Sequence, residues 1–125
     1  MTISLSRFQM IIGRMFCGGS LLAFTSVIAL APAAAETVTV KIKSGPNRFE
    51  PKTATIKAGD TVMWMDEAGH HTATPDDNQL DPFKGSPEMD PPNTYVVVIY
   101  GSPRTIKYHC EIHGPTMSGE IVVVP

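Results

Sequence analysis

Hydrophobic and polar residues alternate along the chain after residue 36, a pattern typical of strands with one buried face. From Thr37 to Lys43, a valine or isoleucine at every second position alternates with threonine or lysine. Thr53–Lys57 and Thr61–Asp66 show the same two-residue period, and turn-forming residues precede each of them. In the last of these strands Val62 and Trp64 share a face. We expect that face to be the core, because the single Trp of so small a domain should be buried.

Further strands are predicted in the second half of the chain, at residues 94–100, 104–109 and 119–124. Two of them contain runs of consecutive apolar residues, 96–99 and 121–124. Such runs are typical of burial on both faces, so we expect these two strands to be central or to lie at a contact between sheets.

A Pro- and Asp-rich segment, residues 76–93, has no sustained hydrophobic period. We expect a surface loop with one helical turn, anchored by Leu80 and Phe83. Its acidic side chains form either a docking patch or, the better interpretation, a solvated face. They are Asp76, Asp77, Asp81, Glu88 and Asp90. With about seven short strands and no convincing helix, the pattern predicts an all-β fold, either a β-sandwich or a small Greek-key barrel.

The first 35 residues have the composition of a secretory signal peptide. Arg7 and Arg14 precede an uncharged segment, 18–30, and residues 31–35 supply the small side chains that signal peptidase requires. The uncharged segment is shorter than the roughly 20 residues of a membrane-spanning helix. We therefore expect an exported, periplasmic-type protein with a signal peptide at 1–35, a mature domain at 36–125 and no stable membrane insertion.

The charge of the mature domain limits its partners. Without the two arginines of the leader, eight Lys and Arg residues face twelve Asp and Glu residues, which gives a net charge of −4. This balance argues against nucleic acid and leaves basic or neutral redox proteins open. We expect a monomer.

Cys110 is the only cysteine after residue 35. An internal disulfide is therefore impossible, and a free thiol in an oxidising compartment is at risk of oxidation. A metal would protect the thiolate in a buried bond and would stabilise a small core that lacks disulfides.

Cys110 lies close in sequence to two other metal-binding side chains, His113 and Met117. The Gly-Pro pair between these two residues favours a turn over a helix. A thiolate, an imidazole and a thioether suit copper, and type 1 sites combine two His and one Cys with a weak axial Met. The second imidazole must come from the pair His70 and His71, of which only one can face the metal because successive strand residues point to opposite sides.

The order of these residues resembles the plastocyanin and amicyanin group of cupredoxins. The resemblance covers nearly all of the chain after residue 36, and it rests on Phe49, Pro51, Gly59, Asp60, Val62, Trp64, Met65, Asp66, His71, Thr72, Ala73, Thr74, Tyr108, Cys110, His113, Met117, Gly119, Ile121 and Val123. It implies a cupredoxin-like Greek-key β-sandwich of about seven to eight strands and a soluble type 1 copper electron-transfer protein. The implied ligands of one copper ion are His71, Cys110, His113 and Met117.

The resemblance also implies roles around the ligands. Thr72 would brace the site, and the edge of His113 would be exposed within an apolar patch where electrons cross. Our candidates for that patch are Gly114, Pro115, Phe83 and Met89. Glu111 departs from the family pattern, in which a small residue more often follows the cysteine.

Other functions fit the residues less well. A copper delivery protein without a redox-shuttle role is the alternative, and its only support is the pair Met63 and Met65 as a second Cu(I) site. An enzyme with Cys110 and His113 as a nucleophilic pair lacks a third, orienting group. A structural zinc site lacks a second cysteine. We therefore predict a protein that is not an enzyme.

Overall fold

The structure, a computed structural model, describes residues 26–77 and 83–125. Its regular elements are strands, and no helix occurs in this part of the chain. The strands are β1 (Thr37–Lys43), β2 (Arg48–Glu50), β3 (Thr53–Lys57), β4 (Thr61–Asp66), β5 (Thr74–Pro75), β6 (Thr94–Val98), β7 (Arg104–Cys110) and β8 (Gly114–Val124). The three alternating segments of the sequence are thus β1, β3 and β4, with the predicted bounds.

Two four-stranded sheets form the domain. One has the order β2-β1-β4-β6 and the other the order β3-β8-β7-β5. The pairs β1–β4 and β3–β8 are parallel, and the remaining pairs are antiparallel. The all-β fold predicted from the pattern is thus confirmed, and the two sheets agree with the β-sandwich that the resemblance implies.

The core lies between the two sheets, and Trp64 is at its centre. The indole is fully buried, as predicted, and stacks on Phe83 with ring centroids 4.8 Å apart. The ring of Tyr108, from the opposite sheet, meets the indole edge-on at 5.5 Å. Burying a large apolar side chain contributes roughly 1.5–3 kcal/mol, so this aromatic cluster joins the sheets without a disulfide.

The prediction of two strands buried on both faces was wrong for β6. Val96 is 52% exposed, whereas Val97 and Ile99 are buried. Val96 lies on the outer face of the sheet, opposite Met63 of β4, and among the described residues β6 pairs with β4 alone and forms an edge of the sheet. The second run of apolar residues, 121–124, lies in β8, which is a central strand as predicted. The side chains of β8 nevertheless alternate between buried and half-buried positions.

The loop between β5 and β6 is anchored as predicted by Phe83, which is fully buried. Leu80, the second predicted anchor, lies outside the described residues. The described parts of this loop contain no helical turn. Met63 and Met65 are half-buried on the outer face of β4, where their partners on β6 are Val96 and Thr94.

Residues 26–36, in front of β1, form no helix or strand. The predicted signal peptide otherwise falls on residues 1–25, which lie outside the described residues. In the described part of the chain, no helix has the length and apolar character needed to cross a membrane.

Candidate metal centre

His71 lies just after β4 in a short extended segment. Its backbone is fixed by two hydrogen bonds with Met89, of 3.1 Å and 2.8 Å, and its side chain is fully buried. The imidazole Nε2 lies 2.9 Å from the carbonyl oxygen of Ala68, to which it donates. Because Nε2 carries the proton, Nδ1 has a free lone pair and can bind a metal.

The turn that carries this carbonyl is shaped by Asp66 and Gly69. The Ala68 N–H donates to Asp66 Oδ1 at 3.2 Å, and burial raises the pKa of the Asp66 carboxyl. Gly69 has a φ of +97°, and a Cβ at this position would lie 2.5 Å from the His71 Nε2. Only glycine allows the turn to pass this close to the imidazole.

Cys110 and His113 come from the connection between β7 and β8. Cys110 is the last residue of β7, is fully buried and pairs with Gly114 at the start of β8. The three residues between them form a tight turn, which brings His113 back over the cysteine. The side chain of His113 is half-buried, so this imidazole is the more exposed of the two.

The structure brings three of the predicted ligand atoms together. The Cys110 Sγ lies 3.4 Å from His113 Nδ1 and 3.9 Å from His71 Nδ1. All three donor atoms lie within 4.8 Å of one another. A metal with bonds of about 2.0–2.3 Å to nitrogen and sulfur holds two donors roughly 3.3–3.9 Å apart. The two sulfur-to-nitrogen distances lie in this range, so each imidazole can share an ion with Cys110.

Met117 approaches from β8 rather than from the loop in which it was expected. His109 pairs with Ser118 while Cys110 pairs with Gly114, so the register is interrupted by three extra residues of β8. Of these three, Pro115 and Thr116 are exposed, whereas Met117 is 1% exposed. The β-bulge thus turns the side chain of Met117 into the core, as a fourth ligand from this strand requires.

Thr72 joins the two ligand-bearing segments. Its backbone N–H donates to the Cys110 Sγ at 3.4 Å. Its Oγ1 accepts a 2.9 Å hydrogen bond from the backbone N–H of Glu111. The bracing role expected of Thr72 is therefore present, and it uses the backbone of Glu111 rather than its side chain.

Replacement of Thr72 by valine tests this link. The variant keeps the shape of the side chain but leaves the Glu111 N–H without its acceptor. We expect the free energy of unfolding of the metal-free protein to fall by about 1 to 1.5 kcal/mol, measured by denaturant titration. Thr72→Ser retains the hydroxyl and loses one buried methyl group, which costs roughly 0.8 kcal/mol. A Thr72→Val protein as stable as the wild type would contradict the role given to this bond.

The other two histidines face away from the centre. His70 Nδ1 lies 2.8 Å from Asp90 and Nε2 3.0 Å from Glu88, and these carboxylates raise the pKa of His70. His109 Nδ1 lies 2.6 Å from Asp76. His71 is thus the member of the histidine pair that faces the site. Three carboxylates of the acidic loop are engaged by imidazoles, and Asp81 lies outside the described residues.

The surface around His113 differs in part from the predicted patch. Phe83 and Met89 are buried, so their assignment to the surface was wrong. Pro115 is exposed, as predicted, and Gly114 is half-buried. Ile112 is 42% exposed, and the sequence analysis missed it. An isoleucine in a turn between two candidate ligands is the signal that could have identified it.

Comparisons with known proteins agree with this geometry. Residues 36–124 match the family model described as copper binding proteins, plastocyanin/azurin family. Plastocyanin from Prochlorothrix hollandica is 33% identical over 115 residues, which cover 82% of this chain and 85% of that protein. A reduced amicyanin variant is similar in structure, with a TM-score of 0.61 and 28% identity over 77% of this chain and 88% of that one.

A copper-containing nitrite reductase from Thermus scotoductus is also similar, with a TM-score of 0.61 and 29% identity. The match covers 71% of this chain but only 22% of the reductase. The similarity therefore concerns a single domain of a much longer protein.

Proposed function

The chain belongs to the plastocyanin/azurin family of copper-binding proteins and is a type 1 copper electron-transfer protein, and from this premise we propose how its residues bind copper and transfer electrons. His71, Cys110, His113 and Met117 hold one copper ion. The observation that carries this assignment is the convergence of the two Nδ1 atoms and the Sγ atom within 4.8 Å. When bound, copper takes up and releases one electron between Cu(II) and Cu(I).

The protein keeps the ligands in one arrangement for both oxidation states. The His71 imidazole is fixed by the Ala68 carbonyl, and Cys110 is fixed by the end of β7 and by the Thr72 N–H. Ligands fixed in this way need little rearrangement when the charge changes. Burial of His71, Cys110 and Met117 also excludes water from three sides of the site.

Electrons cross at the surface formed by His113, Ile112, Gly114 and Pro115, which we name the His113 surface. It combines the more exposed of the two imidazoles with three uncharged residues, and the exposed Glu111 adjoins it in sequence. An uncharged, partly apolar surface loses little solvation when a partner docks, which suits short-lived contacts between redox proteins. We propose that the mature chain acts as a soluble, exported monomer that exchanges single electrons with basic or neutral redox proteins and has no enzymatic activity of its own.

Replacement of Ile112 by glutamate tests this surface. The new charge lies beside His113 on a domain whose net charge is already −4 after removal of residues 1–35. We expect electron exchange between oxidised and reduced copies to slow by at least about tenfold at low ionic strength and to recover partly with added salt. The visible spectrum should not change, because Ile112 is not a ligand.

Tyr100→Glu is the matched control, because it adds the same charge elsewhere. Tyr100 is 61% exposed, and its carbonyl binds Arg104 at the beginning of β7, whereas Cys110 ends that strand. Seven residues of strand span roughly 20 Å, so the control charge lies far from His113. Equal exchange rates in the two variants would show that electrons do not cross at the His113 surface.

A further inference from the structure

Asp60 binds the backbone of the residue that begins the predicted mature chain. The side chain lies at the turn before β4, and the residue is 8% exposed. Its Oδ1 accepts a 2.9 Å hydrogen bond from the N–H of Glu36, and its Oδ2 accepts a 2.8 Å bond from the N–H of Lys57. Both carboxylate oxygens are therefore used, and these bonds hold the pKa of Asp60 below its usual range.

Glu36 is held on its other side as well. Its carbonyl accepts a 2.8 Å hydrogen bond from the N–H of Thr61, the residue after Asp60. Ala33 and Ala34 precede Glu36, are exposed, and line a groove together with Lys57 and Asp60. The backbone that is bound thus begins at Glu36, directly after the small residues that predict the cleavage site.

We propose that Asp60 is the binding site for the α-ammonium group that signal-peptide cleavage creates at Glu36. Hydrolysis of the Ala35–Glu36 bond by a signal peptidase adds one water molecule and leaves a carboxylate on Ala35 and an amine on Glu36. At neutral pH the amine takes up a proton. A neutral N–H donor facing Asp60 Oδ1 becomes a charged group with three donors, and the hydrogen bond becomes an ion pair.

The charge distribution favours this pairing. The charged residues among those lining the groove are Lys57, Asp60 and Glu36 itself. Asp60 is the carboxylate whose oxygen already lies at the Glu36 nitrogen, so no rearrangement is needed when the charge appears. Cleavage therefore fixes the beginning of β1 against the turn before β4. This inference rests on the predicted cleavage site and is independent of the copper ligands.

The pH dependence follows from the sign of the shift. A carboxylate partner raises the pKa of the α-amino group in the folded chain above its unfolded value of about 7.7–8.0. The added stability is therefore complete below that unfolded value and is lost as the pH rises through the raised one. It also requires Asp60 to be ionised, which its lowered pKa ensures at neutral pH.

The experiment compares two chain starts in two backgrounds. The full-length chain is first exported in a bacterial host, and the mass of the purified protein should place cleavage after Ala35. Copper-loaded chains that begin at Glu36 or at Ala34 are then prepared with Asp60 and with Asp60→Asn. All eight strands and the core lie within 37–124, so both chain starts retain the whole fold. The chain starting at Ala34 carries the same charge, displaced by two residues.

We expect the α-amino pKa of the Glu36 chain, measured by pH-dependent amine labelling, to lie about 0.7 above 7.7–8.0, the difference that corresponds to a fivefold change in the unfolding constant. At pH 6.5 its unfolding equilibrium constant should be about fivefold smaller than that of the Ala34 chain, the size expected for a partly exposed ion pair. The Asp60→Asn substitution should remove both differences. Equal unfolding constants and an unshifted α-amino pKa in the Asp60 chains would overturn the proposal, as would cleavage at another bond.

Discussion

Replacing Cys110 with serine is expected to abolish the strong visible absorption of the copper-loaded protein. The colour of a type 1 site arises from charge transfer between the thiolate and Cu(II), and serine offers no comparable soft ligand. Cys110 is fully buried at the end of β7, with its Sγ 3.4 and 3.9 Å from the two imidazoles, and it is the only cysteine after residue 35, so no other thiolate can take its position. We also expect copper affinity to fall by at least about a hundredfold, since the strongest ligand is lost.

His109→Ala is the matched control for this experiment. His109 adjoins Cys110 in sequence but faces Asp76, at 2.6 Å, on the other side of the strand. Its replacement should leave the absorption band in place, measured by visible spectroscopy at one equivalent of Cu(II). A Cys110→Ser protein that remains intensely blue would remove the thiolate from the proposed ligand set.

Replacing Gly119 with alanine is expected to lower the free energy of unfolding by about 2 to 3 kcal/mol, the range of an overpacked core. Gly119 lies opposite Tyr108 in the β7–β8 pair. A Cβ at Gly119 would lie 2.5 Å from the Tyr108 hydroxyl oxygen and 2.6 Å from its Cζ. The ring cannot move aside, because it is fully buried and packs on Phe49 and Trp64 at centroid distances of 4.7 and 5.5 Å.

Ser118→Ala serves as the control, since it changes the neighbouring residue of β8 without adding an atom to the core. Its effect should stay within about 0.5 kcal/mol. Because Met117 lies two residues from Gly119, displacement of β8 in Gly119→Ala should also alter the visible spectrum of the copper-loaded form. Similar denaturation midpoints and slopes for the two variants would contradict the close packing of Tyr108 on Gly119.

The sequence predicted those strands whose side chains alternate. In β1, β3 and β4 the two-residue period reports burial on one face, which is a local property, and the predicted bounds agree with the structure. The run of apolar residues in β6 did not reveal its place in the sheet. An edge and a centre differ only in the number of neighbouring strands, and that number depends on pairing with distant residues. Val96 is therefore exposed in a strand that was expected to be buried.

The difference between local patterns and long-range contacts also explains which residues of the site could be predicted. Cys110, His113 and Met117 were recognised because their spacing in one short segment is a local pattern, and the structure places His71 beside the first two. Phe83 and Met89 were misplaced because they lie in an irregular segment without a period. There the stacking of Phe83 on Trp64 and the backbone pairing of Met89 with His71 decide burial.

The bond between Thr72 and Glu111 shows a further limit of sequence analysis. Glu111 departs from the small residue that is more common in the family, yet the link is made by its backbone N–H, at 2.9 Å from Thr72 Oγ1. Every residue except proline supplies that donor. The identity of the side chain therefore carried no information about whether the two ligand segments are joined.

Titration of Cu(II) into the metal-free mature chain, followed by visible absorption, tests the central claim most directly. If His71, Cys110, His113 and Met117 meet at one ion, an intense blue band will grow in proportion to added copper and stop at one equivalent. A colourless adduct at one equivalent of Cu(II) would contradict the proposed centre and the electron-transfer role that depends on it.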